Sequence, residues 1–401
     1  MSRRAAVTAR VLACTGLACV GLIAGCGSQP AGVTDAGRPP LTAPLSTSLV
    51  TAQGAWAVAA MGGRDTDDRF WQLFFRPATG GRWSLVTPQG VADNGGLVVA
   101  GGGAYLVAGF RPSQKLAFSP LATSTDTGRN WTPGLLDAGL ADTPGAIAVG
   151  PSGRTLALLQ DGTIETAPTA GSAAAGRWAP LTTLKALAAS APGRSCGLEG
   201  VTAVSFGPNQ NPMAAGSCAR PGAAGVFTDA GGTWRSADLT LPGPGPNGRV
   251  RVLALTALAG GNEALLAVSG PGGNSLRAAW WDGTRWTVSA PVTTDGVRAL
   301  GFGPGGSAWL LQPGGRAETI AEAAGSTWRA LPPVPAGTQV LVPAGTQVLV
   351  PAGAGSLVPG AGGSYDALAV AGSRLTVWRL AQGAWAKVQQ VTVPLQYGSS
   401  G

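Results

Sequence analysis

The sequence predicts an all-β protein, a seven-bladed β-propeller with four-stranded antiparallel blades. A tryptophan that follows a glycine-containing turn and precedes a short β-like run recurs seven times. The intervals between these tryptophans, 48, 47, 56, 52, 42 and 57 residues, match the length of one blade with its loops. Charged residues make up only 11% of the chain, while glycine contributes 64 residues and proline 31. This composition favours short strands joined by turns over long charged helices.

These seven positions, called the recurring tryptophans below, are each predicted to begin the outermost strand of a blade. They are Trp83, Trp131, Trp178, Trp234, Trp286, Trp328 and Trp385. Each interval also holds three further apolar runs, such as "RVRVLALTA", "EALLAVSG" and "SLRAAWWDG" in the fifth blade. Three runs precede Trp83 as well, so the first blade is predicted to be complete without a strand from the C-terminus. The propeller is predicted over residues 47–396, with a disordered tail at 397–401.

The N-terminal segment, residues 1–25, is interpreted as an export signal. Arg3, Arg4 and Arg10 precede the apolar run "VLACTGLACVGLIAG", which is short for a membrane span. The segment ends in "IAGC", with Cys26 last, and this motif resembles the lipobox of bacterial lipoproteins. The resemblance implies cleavage before Cys26 and a lipid, diacylglycerol with palmitate, on that cysteine. The alternative is an ordinary secretory signal followed by a chance cysteine.

Residues 26–46 are predicted to form a flexible tether. After Cys26 the chain reads "GSQPAGVTDAGRPPLTAPLS", with small, polar and proline residues and almost nothing to bury. Fully extended, it spans on the order of 50 Å. The predicted location is therefore the outer face of the cytoplasmic membrane, reached through the lipid anchor.

The cysteine pattern agrees with export. Cys14 and Cys19 leave with the signal and Cys26 carries lipid, so only Cys196 and Cys218 remain in the exported body. Two thiols in an oxidising compartment usually pair, which predicts a disulfide between them. A metal pair or a catalytic thiol is disfavoured, because the chain contains no histidine to complete either site.

The charge of the chain does not indicate nucleic-acid binding. Removal of three signal-peptide arginines lowers the formal charge from +8 to +5, spread over the whole mature chain. Arginine outnumbers lysine by 24 to 3, and alanine, glycine and proline abound. This usage resembles that of proteins from GC-rich actinobacterial genomes.

Two turns repeat an acid, a glycine and a tryptophan at one spacing. A tight turn needs a residue that tolerates positive φ and a short carboxylate that accepts backbone N–H bonds. The residues concerned are Ser124, Asp126, Gly128 and Trp131 in "STDTGRNW", and Asp229, Gly231, Thr233 and Trp234 in "VFTDAGGTW". The pattern resembles the Asp-box of BNR repeats, found in sialidases and other propellers, although Asn130 replaces a threonine and Phe227 a serine. The resemblance implies that these aspartates are structural.

The range of catalytic and metal-binding chemistry available to the chain is narrow. Without histidine, Ser-His-Asp catalysis and His-ligated metals are excluded. Sialidases need no histidine, but "FFRPATG" around Arg76 matches their arginine motif poorly, and Tyr105, Tyr365 and Tyr397 lack a convincing glutamate partner. A retaining glycosidase also needs two facing carboxylates. We therefore predict no catalytic residues, no cofactor and no metal.

In a propeller, the loops between the second and third strands of each blade lie on the same face as the loops that connect successive blades. We call this face the loop face. The first-to-second and third-to-fourth turns, including the Asp-box turns, lie on the opposite turn face. The loop face is predicted to carry a binding rim. Its members are Arg64, Arg69, Arg111, Lys115, Arg220, Arg277, Arg316 and Arg374. Guanidinium groups there suit anionic glycans, lipid head groups or an acidic protein surface, although loops of any exported protein are polar.

Three sequence features are given a structural or local interpretation. Asp65, Asp67 and Asp68 form an acidic patch whose spacing matches no complete Ca²⁺ loop. The exact repeat "PAGTQVLV", at residues 335–342 and 343–350, is interpreted as a duplicated loop. The six other tryptophans are predicted to pack between blades, with carbohydrate stacking as the alternative. They are Trp56, Trp71, Trp280, Trp281, Trp309 and Trp378.

The function predicted from the sequence is non-catalytic binding or scaffolding, with the propeller presenting a loop face to an envelope protein or glycan. The first alternative is a glycan-acting hydrolase of the sialidase type. A structural assembly factor is the second, and it requires a flat apolar patch of several hundred Å². Oligomeric state does not follow from the sequence.

Overall fold

The computed structural model describes residues 41, 48–62, 69–88, 96–110, 117–237, 239–241, 248–258, 261–270, 272–322, 326–334 and 354–394. The predicted signal peptide, Cys26, nearly all of the tether, the "PAGTQVLV" repeat and Tyr397 lie outside these residues. Within them, no helix has the length and apolar character needed to cross a membrane.

The predicted seven-bladed propeller is confirmed: seven antiparallel sheets each take four strands in chain order. Blade 1 comprises β1 (Ser48–Thr51), β2 (Gly54–Gly62), β3 (Arg69–Pro77) and β4 (Ser84–Leu85), and blade 2 comprises β5 (Leu97–Gly102), β6 (Tyr105–Phe110), β7 (Ser119–Ser124) and β8 (Thr132–Leu136). Blade 3 comprises β9 (Ile147–Val149), β10 (Thr155–Leu158), β11 (Ile164–Ala167) and β12 (Ala179–Thr182).

In blades 4 and 5 the outer edge is divided between two short strands. Blade 4 comprises β13 (Leu198–Phe206), β14 (Pro212–Cys218), β15 (Ala223–Asp229), β16 (Trp234–Ser236) and β17 (Leu239–Thr240). Blade 5 comprises β18 (Arg249–Leu258), β19 (Gly261–Gly270), β20 (Gly273–Trp281), β21 (Trp286–Val288) and β22 (Val292–Thr293). Here β17 pairs with β15, and β22 pairs with β20.

The last two blades return to four strands. Blade 6 comprises β23 (Ala299–Phe302), β24 (Ala308–Leu311), β25 (Ala317–Ile320) and β26 (Arg329–Ala330). Blade 7 comprises β27 (Ala354–Pro359), β28 (Tyr365–Ala371), β29 (Arg374–Ala381) and β30 (Ala384–Thr392). Every recurring tryptophan stands at the start of an outermost strand or directly before it, as predicted.

Three short helices around blade 3 were not predicted. Helix α1 (Ala170–Ala174) lies between β11 and β12, and α2 (Leu184–Ala189) and α3 (Ala191–Cys196) connect blade 3 to blade 4. Thr169, Thr183 and Ser190 cap their N-termini by accepting backbone N–H bonds. Helices this short give no periodic apolar signal, so only their caps are visible in the sequence.

The core consists of apolar layers between neighbouring blades. Alternate residues of each strand face opposite neighbours: in β19, Ala264 and Leu266 pack toward blade 4, while Leu265 and Ala267 pack toward blade 6. Five of the six other tryptophans occupy strands within such layers or against them, and Trp56 and Trp309 are almost fully buried.

The predicted disulfide between Cys196 and Cys218 is confirmed. Cys196 ends α3 and Cys218 ends β14, opposite Leu198 in the β13–β14 ladder. The two Cα atoms are 5.4 Å apart. The bridge therefore ties the entry of blade 4 to its second strand.

Blade 1 and blade 7 meet without exchanging a strand, because each takes all four strands from its own segment of the chain. The Ser48 hydroxyl donates to the Leu357 carbonyl at 2.9 Å, and the Gly62 N–H donates to the Gly372 carbonyl at 3.1 Å. An apolar layer from both blades lies between these contacts. Side-chain packing and polar contacts therefore close the ring.

Candidate functional site

The two Asp-box-like turns are organised by their aspartates. The Asp126 carboxylate accepts the backbone N–H of Asn130 at 2.9 Å and its side-chain amide at 2.6 Å. These hydrogen bonds lower the pKa of Asp126 to about 2. Asp229, which is buried, accepts the N–H of Gly232 at 2.8 Å. Gly128 and Gly231 have φ values of 79° and 68°, in the left-handed region that favours glycine.

A third turn of this kind was missed in the sequence. Asp282 of "DGTRW" accepts the backbone N–H of Thr284 at 2.8 Å and that of Arg285 at 2.9 Å. Hydrogen bonds from Thr284, first from its hydroxyl, and from the Arg285 N–H lower the pKa of Asp282 to about 2. The signal was present in the sequence, but the aspartate stands one residue closer to the recurring tryptophan than in the other two turns.

Several recurring tryptophans join their blade to the preceding one, a role beyond the predicted covering of a blade edge. The Trp131 indole N–H donates to the Val86 carbonyl of blade 1 at 2.8 Å. Equivalent bonds run from Trp286 to Ala237 at 3.0 Å and from Trp385 to Pro332 at 2.9 Å. Since each contact crosses a blade junction, these tryptophans set how successive blades stack.

The described members of the predicted binding rim are scattered and partly engaged. Arg220, Arg316 and Arg374 lie on the loop-face turns of blades 4, 6 and 7 and are exposed. Arg220 donates to the Ser195 carbonyl at 3.4 Å, and Arg316 pairs with the buried Glu318. Arg64, Arg111 and Lys115, together with the acidic patch, lie outside the described residues, and Arg69 is the first residue of β3.

The prediction that Arg277 lies in a loop is wrong. Arg277 lies in the middle of β20, opposite Leu266 of β19, and its guanidinium donates to the Ser289 carbonyl at 3.2 Å. Burial lowers its pKa. The run "SLRAAWW" forms one continuous strand that includes the arginine. The backbone of Arg277 stays in the β-ladder, because its long side chain can carry the charged group to the edge of the blade.

The turn face carries a groove made of two cavities that share Pro359, Gly360 and Ser364. The first cavity, about 600 Å³, lies between blades 6 and 7. The second, about 420 Å³, lies between blades 7 and 1. The groove therefore follows the first-to-second-strand turn of blade 7, and it is our candidate functional site.

Hydroxyl groups and glycine backbone dominate the first cavity. Ser307, Thr319, Ser326, Thr327 and Ser364 supply hydroxyls, and Arg329 supplies a cation. The Tyr365 hydroxyl is 2.7 Å from the Thr319 hydroxyl and lies mostly below the surface. These groups donate and accept hydrogen bonds without a fixed charge, apart from Arg329.

Two arginines line the second cavity and share one carboxylate below it. Asp366 is buried and accepts from Arg379 Nε at 2.7 Å and Nη2 at 2.9 Å. Arg76 Nε lies 3.2 Å from the same carboxylate, and the Trp83 indole donates to it at 2.9 Å. Burial lowers the pKa of Arg76, whereas the hydrogen bonds to Asp366 raise that of Arg379. Two guanidiniums over one carboxylate leave a net positive charge.

Arg76 is the residue that the sequence compared with the sialidase arginine motif. Its position at the end of β3 confirms that it comes late in its blade. The sequence did not predict its partners, because Asp366 is 290 residues away.

A buried acid lies one junction away from the groove. Glu263 in β19 faces blade 6 and is fully buried beside Trp280, its partner in the β19–β20 ladder. Burial, helped by the negative charge of Glu322, raises the pKa of Glu263 to about 8. Glu263 lines neither cavity of the groove.

A basic residue stands within two positions of every recurring tryptophan, a regularity that the sequence analysis overlooked. These seven residues, which we call the basic collar, are Arg82, Arg129, Arg177, Arg235, Arg285, Arg329 and Lys387. All are exposed. They surround the turn face, one per blade, because the recurring tryptophans mark the turn-face end of each outermost strand.

No protein-family model matches the chain, and no curated protein matches it in sequence. Solved structures do match the chain, by their fold. The GH74 xyloglucanase from Xanthomonas campestris superposes with a TM-score of 0.54 at 16% identity, covering 86% of this chain and 53% of that one. A putative 6-phosphogluconolactonase from Bacteroides uniformis gives 0.50 at 14% identity, covering 86% and 98%.

YCF48 from Cyanidioschyzon merolae gives a TM-score of 0.42 at 14% identity, covering 88% of this chain and 96% of that one. This chain spans about half the length of the xyloglucanase. At these identities, the similarity to the first two structures shows the propeller fold alone.

Proposed function

We propose that this protein is a non-catalytic binding module for an envelope glycan, tethered to the outer face of the cytoplasmic membrane by a lipid on Cys26. Strand β1 runs from the loop face to the turn face, so the tether joins the propeller on the loop-face side at Ser48.

The observation that carries the proposal is the composition of the groove. The first cavity presents hydroxyls, glycine backbone and the guanidinium of Arg329, and the second presents two guanidiniums beside a mostly apolar lining. Sugars offer many hydroxyls at fixed spacing, and hydrogen-bonding groups in a preformed cleft provide orientation and specificity for such a ligand.

The charged groups near the groove argue against the hydrolase alternative. Asp366 accepts hydrogen bonds from Arg379 and pairs with Arg76, so its oxygens are already engaged by guanidinium groups. Glu263 has the raised pKa of a general acid, but it is fully buried away from both cavities and cannot reach a glycosidic oxygen.

The described surface also differs from that expected of a structural assembly factor. Its exposed large apolar side chains are Leu85, Leu135 and Val388. They belong to the outermost strands β4, β8 and β30, at the side of the ring. Protein interfaces rely on clustered apolar and aromatic anchors, which the described parts of the two faces do not present.

The test is retention of the full-length protein, in mild detergent, on protease-treated envelope glycan. Ala321 lines the first cavity and Ala78 the second, and both are exposed, so Ala321→Trp and Ala78→Trp block the groove at little cost to folding. We expect each variant to weaken binding at least about tenfold, the loss of roughly 1.4 kcal/mol of contacts.

Ala219→Trp, at an exposed loop-face turn, is the matched control and is expected to bind like the wild type. Binding that disappears after protease treatment of the envelope would assign a protein partner instead. Release of new reducing ends from the glycan would establish the hydrolase alternative.

A further inference from the structure

We infer that the ligand of the groove is an anionic polysaccharide, bound through the basic collar as well as the groove. This inference rests on the proposed function, because it names the class of glycan. It comes from the arrangement of charge around the turn face, of which only Arg329 also lines the groove.

The collar is regular in position and not only in number. Arg82, Arg177 and Arg285 directly precede a recurring tryptophan, and Arg235 and Arg329 directly follow one. Arg235 and Arg329 lie in the outermost strands β16 and β26, and the other three stand in the turn just before such a strand; all five side chains are exposed. Arg129 and Lys387 stand two positions away, in the turn and in β30. The fold therefore repeats one exposed cation in each of seven blades.

Most collar cations have no counter-ion within the described residues. Two are engaged: Arg285 Nε lies 3.7 Å from Asp282, with both groups largely exposed, and Lys387 donates to Gln390 at 2.8 Å. No described acid pairs with the other five. The turn aspartates direct their carboxylates at backbone N–H groups of their own turns, as Asp126 and Asp229 show. The long guanidinium side chains remain available to an external anion.

The collar passes the groove on its outer side. Arg329, the collar residue of blade 6, lines the first cavity. Arg82, the collar residue of blade 1, adjoins Trp83, whose indole contacts the Asp366 cluster of the second cavity. A polysaccharide lying in the groove therefore meets collar cations at both ends of the groove. A charged polysaccharide that continues around the edge of the turn face meets the other collar cations.

An anionic polysaccharide fits these features better than a membrane or an acidic protein. A flat bilayer surface or a folded acidic protein would leave the hydroxyl-lined first cavity unfilled. A sugar chain with repeated carboxylates or phosphates satisfies the hydroxyls through its ring substituents and the collar through its charges.

The experiment compares two triple variants of equal net charge in the full-length protein in mild detergent. The collar triple is Arg129→Gln, Arg177→Gln and Arg235→Gln, in blades remote from the groove. The control triple is Arg220→Gln, Arg249→Gln and Arg374→Gln, exposed arginines on the loop-face side. Binding is measured to polygalacturonate, neutral dextran, poly-glutamate and phosphatidylglycerol vesicles at 50 and 500 mM salt, concentrations over which screening of exposed charges changes strongly, on the order of a twofold to threefold shorter Debye length.

The wild type is expected to bind polygalacturonate in preference to the other three probes, and more weakly at high salt. The collar triple should weaken that binding at least about tenfold, roughly twofold per charge removed, while the control triple stays within about twofold. Equal losses in both triples would overturn the collar proposal in favour of net charge. Preference for vesicles or poly-glutamate would overturn the polysaccharide.

The groove variants separate this inference from the proposed function. If Ala78→Trp and Ala321→Trp abolish binding to envelope glycan while the collar triple retains it, the groove function stands and the collar inference is wrong. If all of these variants bind like the wild type, both are wrong.

Discussion

Two blade junctions each bury a carboxyl group on the turn-face side, but the groups that surround the two carboxyls differ. Between blades 7 and 1, Asp366 is surrounded by Arg76, Arg379 and the Trp83 indole. Between blades 5 and 6, Glu263 is equally buried but has no guanidinium partner among the described residues, and its pKa rises to about 8. The paired acid links two blades, whereas the unpaired acid is largely neutral near pH 7.

The difference relates to how the ring closes. Blades 5 and 6 are consecutive in the chain, so a single connection already holds them together. Blades 7 and 1 come from opposite ends of the propeller and share no strand. The loop-closure entropy of bringing them together must be offset by contacts at the junction itself. The charged cluster is the polar part of those contacts.

The largest expected effect comes from removing the paired acid. Asp366→Ala leaves two partly buried guanidiniums facing each other, and removing one partner of a buried ion pair costs about 3–5 kcal/mol. We expect a loss of this size in the free energy of unfolding, measured by urea denaturation. Asp137→Ala, at an exposed acid, serves as the control. A loss below about 1 kcal/mol, the range of exposed ion pairs, would show that the cluster does not hold the ring closed.

The next effect compares two tryptophans in equivalent positions. Trp83 donates to a carboxylate across the 7/1 junction, whereas Trp131 donates to a backbone carbonyl across the 1/2 junction. Hydrogen bonds to charged groups contribute about 1.5–3 kcal/mol and neutral ones about 1 kcal/mol. We therefore expect Trp83→Phe to destabilise the fold more than Trp131→Phe. Equal losses of stability in thermal denaturation would mean that packing of the indole ring, and not the type of hydrogen-bond acceptor, determines the destabilisation.

The last effect concerns the unpaired acid and depends on pH. The pKa of Glu263 is raised by burial to about 8 from a usual value of 4.5. Its contribution to stability is complete below about pH 4.5 and is lost as pH rises through 8, because the unfolded state ionises more readily. Glu263→Gln removes this dependence, so its melting temperature relative to wild type should rise from pH 5 to pH 9, by the equivalent of several kcal/mol, on the order of 1.4 kcal/mol for each pH unit between the two pKa values. A constant difference across that range would show that Glu263 is ionised in the folded protein.

The sequence by itself determined the number of blades, their strand order and the local disulfide. These follow from patterns within about 60 residues: a turn, a tryptophan and three apolar runs that recur. It also contained the basic collar and the Asp282 turn, which became clear only once each blade had been located. Local patterns are strong in a propeller because each blade is one supersecondary unit.

The tertiary structure alone decided which distant groups meet. Arg76 and Asp366 come from opposite ends of the propeller, and no local pattern links them. The groove exists only because the blade 7 turn around Gly360 lies between blades 6 and 1. The tertiary structure also placed Arg277 in a strand. Strand register, and not the charge of a residue, determines whether that residue takes part in a β-ladder. Periodicity describes each blade, whereas closure of the ring and the site beside it depend on contacts between blades.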